Sequence, residues 1–366
     1  MSPYRKLPPE KFWKTGVEQQ HPLSITGIYK KKFSITGEMK VAAAGSCFAQ
    51  HVARNLRTRG YNVMDLEPPP PYLTKTQAAE FGYNLYSARY GNIYLVRQLL
   101  QLTKEALGRF TPANGVWKKG ERYFDALRPS VEPQGLDSEF EVREHRRAHL
   151  KRVLQMLKAM DLLVFTFGLT EGWVHKESGT VYPTAPGTIA GAFDPEIYTF
   201  KNFDYPEILS DFLEFKSLVS EINPTARFLL TVSPVPLTAT ASEDHILPAT
   251  IYSKSVLRAV AGSLAKSNND VDYFPSYELV ASHFSRGMFY AGNLREVDPG
   301  GVNAVMRVFF SEHTLDAERS NLKNSSAVEE KKQERQQKRI EAKEKSEEDV
   351  VCEEALLEAF APASSN

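Results

Sequence analysis

Two patterns of apolar residues alternate along the chain. Residues 41–44, 61–64, 161–167, 227–232 and 271–274 form short apolar runs with little or no polar face, which suits strands buried on both sides. Between them apolar residues return at helical spacing. Phe48, Val52 and Leu56 do so, flanked by Ala49 and Ala53, as do Val96, Leu99, Leu100 and Leu107. Segments 143–160, 206–222, 251–265 and 299–310 read as helices, the last with Pro299 at its start. Strands alternating with helices predict a mostly parallel sheet covered on both faces. The expected architecture is one three-layer α/β/α domain over residues 38–312, with a mainly parallel, five-stranded, flavodoxin-like sheet. Residues 1–37 read as an extended arm that lays Phe12, Trp13, Tyr29 and Phe33 on the body. Four consecutive prolines, Pro68–Pro71, should cross the surface as polyproline II. Asn92 suits the N-cap of the helix that follows it, and residues 109–142 suit a loop or small hairpin.

Residues 313–366 break the pattern. Of the 21 residues from 329 to 349, 15 are charged and Ile340 is the single large apolar one, so no coiled-coil seam exists and a solvated helix or disorder is expected. A final apolar cluster, Ala355, Leu356, Leu357, Ala359 and Phe360, is able to dock on the body, though the partner of the tail is not legible.

Composition narrows the function classes. Lys plus Arg and Asp plus Glu number 45 each, so no net field recruits nucleic acid or an anionic membrane. Two cysteines, Cys47 and Cys352, do not make a disulfide framework. The opening MSPYRKLPPEKFWK lacks a secretory apolar core, and no stretch approaches the ~20 apolar residues of a membrane span. The expectation is a soluble cytoplasmic protein.

Chemistry concentrates where the first apolar run ends at Gly45 and Ser46. A buried strand turning through Gly-Ser into a helix sets a hydroxyl where backbone N–H groups converge and the helix dipole is positive, which stabilises oxyanion charge. The plainer role for Ser46 is an N-cap. Parallel sheets place their sites beyond the strands' carboxyl ends, where Gly45-Ser46, Gly168 to Glu171 and Ser233-Pro234 all fall. A serine nucleophile needs a base and oxyanion donors. The N–H groups of Ser46 and Cys47 are natural donors, with Gly91 and Asn92 adding a backbone and an amide donor. Of eight histidines, His245 follows a strand end in a polar loop beside Asp244 and is the candidate base; His51 lies one helical turn past Cys47. Cys47, at a helix N-terminus where thiol pKa values fall, is the rival nucleophile. Glu171 is a candidate substrate ligand or supporting acid, or a cap. No cysteine and histidine spacing suits zinc, and no glycine-rich loop suits a phosphate or dinucleotide, so neither metal nor cofactor is expected.

The residues GSCFA at 45–49 are themselves the motif for which a family is named. The chain resembles that GSCFA family, a branch related to SGNH (GDSL-type) hydrolases, through YGNIY (90–94), FGLTEGW (167–173), TVSPVPL (231–237), YSKSVLR (252–258) and YFPSYE (273–278) as well. The likeness covers roughly residues 10–312. It implies an SGNH-like fold with Ser46 as nucleophile and the Gly91 region as the glycine oxyanion block. Gly168, Thr170 and Glu171 stand where SGNH proteins carry their asparagine block. Asp298 stands where the closing histidine is expected, so either His245 has taken that role or the triad is incomplete. The expected activity is that of a serine esterase or O-acyltransferase acting on a small-molecule or saccharide ester. The alternative is a non-catalytic module that keeps the fold and holds a glycan or acyl ligand.

Overall fold

The computed structural model describes residues 2–314 and 352–361. Nine strands are described: β1 (Val41–Gly45), β2 (Val116–Lys119), β3 (Arg122–Asp125), β4 (Leu162–Phe167), β5 (Glu171–His175), β6 (Val181–Tyr182), β7 (Tyr198–Asn202), β8 (Arg227–Val232) and β9 (Val271–Tyr273). The α-helices are α1 (Phe48–Thr58), α2 (Lys75–Glu80), α3 (Val96–Ala106), α4 (Glu139–Ala159), α5 (Tyr205–Ile222), α6 (Ile246–Ser267), α7 (Ser276–Ala281) and α8 (Pro299–Glu312).

The central sheet has four parallel strands in the order β1-β4-β8-β9. Alternate residues of each strand face opposite sides, as strand geometry requires. Ala42, Ala44, Leu163, Phe165, Phe167, Phe228, Leu230 and Val232 join the core made with α3, α4, α5 and α6. Val41, Leu162, Val164 and Leu229 join a second core with α1, α7 and α8. Helices therefore cover both faces, and an apolar run without a polar face is the sequence form of that burial.

The expected fifth strand is reduced to a bridge between Val63 and Val41. The outer edge of β1 is shared instead of paired along its length. Val41 N–H donates to Asn62 O at 2.9 Å, Ser87 N–H to Ala43 O at 3.2 Å and Ile93 N–H to Gly45 O at 2.9 Å. Segment 84–95 thus takes the positions that a longer strand at 61–64 would occupy. Two small sheets lie outside the central one: the hairpin β2-β3 within the expected 109–142 segment, and the antiparallel β6-β5-β7. Trp117, Phe124, Tyr182 and Tyr198, from both small sheets, form a third core.

The N-terminal segment, expected as an extended arm, instead makes short helical turns over Pro3–Lys6, Pro9–Lys11, Lys14–Glu18 and Pro22–Ser24. Phe12 and Trp13 stay exposed, Trp13 stacking on His283, and the segment is tied down at Tyr29. Tyr29, half of an edge-on pair with Phe274, has its hydroxyl 3.0 Å from Asp272 Oδ2 and 2.9 Å from His313 Nε2. The four central strands run the same way, so Gly45, Phe167, Val232 and Tyr273 end at one edge. That edge carries the candidate site. No helix among the described residues is long and apolar enough to cross a membrane.

Candidate functional site

β1 ends against β4. Gly45 has φ of +136°, and a Cβ there would lie 2.5 Å from the Thr166 carbonyl oxygen, so only glycine fits. The next two residues make the turn, and α1 begins at Phe48 with Cys47 at its N-cap. Ser46 is buried, and its Oγ has no hydrogen-bond partner among the described residues. It packs against Gly168 just beyond β4, where a Cβ would stand 2.9 Å from Ser46 Cβ. The Ser46 N–H, expected as an oxyanion donor, instead donates to Thr166 O at 3.2 Å, which extends the β1–β4 ladder by one residue.

Asn92 does not cap a helix, because α3 starts four residues later at Val96. It is buried in the cleft wall, and its amide is oriented by its neighbours. Asn92 Oδ1 accepts from Gln50 Nε2 at 3.3 Å and from the Tyr86 hydroxyl, which aims Nδ2 into the cleft. Gly91, with φ of +68°, leaves that approach open.

His245 and Asp244 are not brought to Ser46. Both are exposed, and His245 is the N-cap of α6, its Nδ1 accepting the Leu247 N–H at 3.2 Å. An imidazole beside a helix start meets the free N–H groups of its own helix first. Glu171, at the start of β5, accepts from the Thr240 hydroxyl at 2.8 Å and so pins the loop leading to Asp244; burial raises its carboxyl pKa. Thr170 donates its N–H to Ser253 Oγ at 3.1 Å, while its own hydroxyl is buried without a partner among the described residues. Asp298 caps α8, accepting the Gly300 N–H at 2.6 Å. His51 is half-buried beside Phe48, and burial lowers its pKa to about 4.

A buried cation at the site is Lys254. It lies on the buried stripe of α6 with Leu257, Ala261 and Leu264, and its Nζ donates to Gly168 O at 2.6 Å. Burial lowers its pKa to about 8, against the opposing charges of Glu354 and Cys47. The spacing 254, 257, 261, 264 is the signal in the sequence that this lysine faces inward.

The remaining site residues come from the far end of the chain. Cys352, Glu353 and Glu354 open a 3₁₀ helix, Glu353–Phe360, that lies over the turn. Cys47 hydrogen-bonds to Cys352; that contact and burial push the Cys47 thiol up, overriding the helix N-terminus. The same bond, with Arg295 beside it, pulls Cys352 down, so the pair's first proton leaves Cys352. The expectation of a solvated helix or disorder concerns mainly residues 315–351, which lie outside the described residues. In the part that is described, Glu353 and Glu354 dock, whereas Glu358 and, from the apolar cluster, Leu356 and Phe360 stay exposed.

A parallel sheet covered by helices, with polar groups gathered at one carboxyl edge around a strand-to-helix serine turn, defines an α/β protein with its candidate site beyond the carboxyl ends of β1 and β4. The chain belongs to the GSCFA family, whose model matches residues 40–309. No curated protein matches it.

Proposed function

We propose that the chain is an SGNH-type serine esterase or O-acyltransferase acting on an ester carried by a small molecule or a saccharide, in the cytoplasm. The observation that supports this reading is the buried Ser46 hydroxyl, without a partner among the described residues and packed on Gly168, whose carbonyl accepts from a lysine of lowered pKa. Ser46 Oγ attacks the ester carbonyl while Lys254 takes its proton. The proton passes to the departing alkoxide, and water or a second alcohol then attacks the acyl-enzyme and restores Ser46. With a pKa of about 8, roughly a tenth of Lys254 is neutral at pH 7, enough to act as a base. Lys254 thereby takes the role that sequence assigned to His245 and Asp244, as in serine–lysine pairs on other folds. The Cys47 N–H and Asn92 Nδ2 hold the oxyanion, and Gly91, Gly168, Thr170 and Glu171 shape the cleft around the substrate.

The test is turnover of short p-nitrophenyl esters and acetylated sugars. Ser46→Ala should lower kcat/KM by about 10³-fold or more. Equal rates in the two proteins would end this reading, and selective loss in Cys47→Ala would move the nucleophile to the thiol.

A second reading, a binding module that holds an acyl or glycan ligand, is favoured by one observation: no imidazole is hydrogen-bonded to Ser46 Oγ among the described residues. A fluorophosphonate separates the two, since labelling at Ser46 requires an activated hydroxyl.

A further inference from the structure

The cleft over Ser46 and Cys47 is filled by the chain's own carboxylates. Glu353 is 2% exposed. Its carboxylate accepts from Asn92 Nδ2 at 2.6 Å, from the Tyr94 hydroxyl at 3.1 Å and from the Ser130 hydroxyl. Gly91 takes part by having no side chain, since a Cβ there would lie 3.3 Å from Glu353 Oε1. Glu354, 7% exposed, has its Oε2 3.5 Å from Arg295 Nη2 and feels the Lys254 charge. Three neutral donors on one carboxylate and two cations beside the next amount to a built recognition site. Its parts come from segments far apart in sequence, at residues 91–94, 130, 254 and 295.

We propose that this cleft is a dicarboxylate-recognition site and that Cys352–Glu354 is its built-in occupant. The charges make the argument. Lys254 is buried and the Arg295 side chain is 13% exposed. Displacing Cys352–Glu354 would strip Lys254 and Arg295 of the two carboxylates and of the Cys352 thiolate, and a buried charge left without its partner is destabilising. A ligand that displaces the segment must therefore bring carboxylates of its own, at the spacing of adjacent glutamates. This inference deepens the reading above: the ester favoured at Ser46 is one that carries carboxylates and so displaces the segment, and neutral esters turn over more slowly. Its binding test does not depend on turnover.

The test uses the full chain and an acetylated, fluorescein-labelled peptide of residues 350–361. Full-length Glu353→Gln/Glu354→Gln, with its own segment weakened, should bind the peptide saturably and at least tenfold more tightly than wild type does. The same peptide with glutamine at both positions should bind at least tenfold more weakly, since each lost contact to a charged group is worth a sizeable fraction of that factor. Equal binding to wild type and variant, or equal binding of the two peptides, overturns the proposal. Should the variant fold poorly, wild type supplies a second measurement. Free acetyl-Glu-Glu-amide in excess should speed alkylation of Cys47 by iodoacetamide severalfold, while acetyl-Gln-Gln-amide should not; equal effects overturn the proposal. Fluorophosphonate labelling is scored in parallel. Peptide binding without labelling of Ser46 keeps the recognition site and ends the esterase reading, whereas labelling without peptide binding does the reverse.

Discussion

At the scale of single residues, the site turns on which side chains the fold leaves without a partner. Ser46 Oγ is one of them among the described residues, and Lys254 Nζ donates to the carbonyl of Gly168, the residue against which Ser46 packs. If Lys254 must be neutral to act, ester turnover should rise with pH through an inflection near 8, and Lys254→Met should remove that limb of the profile. The same shift acts on stability. The unfolded lysine titrates near 10.4, so between about pH 8 and 10.4 the unfolded chain binds more protons and Lys254's contribution to folding becomes more favourable as pH rises. Gly45→Ala should destabilise by about 2–5 kcal/mol, read from the urea midpoint, because a Cβ meets the Thr166 backbone at a φ that side chains avoid. Iodoacetamide at pH 7 should modify Cys352 before Cys47, checked by peptide mass spectrometry, since Cys352 holds the thiolate and is the less buried of the two. Legibility at this scale was uneven. Gly45-Ser46 could be read because a buried run must end in a residue that tolerates the turn. His245 was misleading because sequence shows a polar loop but not that the ring serves its own helix. Lys254 was hidden inside a helical stripe that reads as apolar packing.

At the scale of elements, burial decided what could be foreseen. Runs 227–232 and 271–274 match β8 and β9 closely, because strands enclosed on both sides need mostly apolar residues. The strand at 61–64 shrank to a bridge because segment 84–95 shares the edge of β1 with it, and competition for an edge leaves no mark on local composition. β5, β6 and β7 escaped notice for a related reason: their pairing is antiparallel and partly exposed, and their residues look like the polar turns that flank a parallel sheet. The N-terminal segment was foreseen to dock by its aromatics, yet Tyr29 docks through its hydroxyl as well. Tyr29→Phe removes the contacts to Asp272 and His313 and should lower stability by about 1–2 kcal/mol in urea unfolding, with faster trypsin cleavage in residues 5–32. An unchanged cleavage rate would mean that the segment is held by packing alone.

For the molecule as a whole, acid is the expected weakness. His51, His149 and His313 are each held near pKa 4 by burial, below the 6.5 of the unfolded side chain. Between pH 6.5 and 4 the unfolded chain therefore binds more protons than the folded one, and stability falls as pH falls through that window. Glu67, bonded to His149 Nδ1 at 2.7 Å and lowered to about 2, adds a loss that begins near pH 4.5. Urea midpoints should drop steeply from pH 7 to pH 4.5, and a flat profile would mean that these rings are wet in solution. The tethering of Glu353 and Glu354 to the body they bind has a further effect. A cleft filled by a free metabolite empties on dilution, but one filled by its own polypeptide answers only to local geometry. Specific activity should accordingly be the same at nanomolar and micromolar protein, and the blocked state should persist through dialysis and gel filtration.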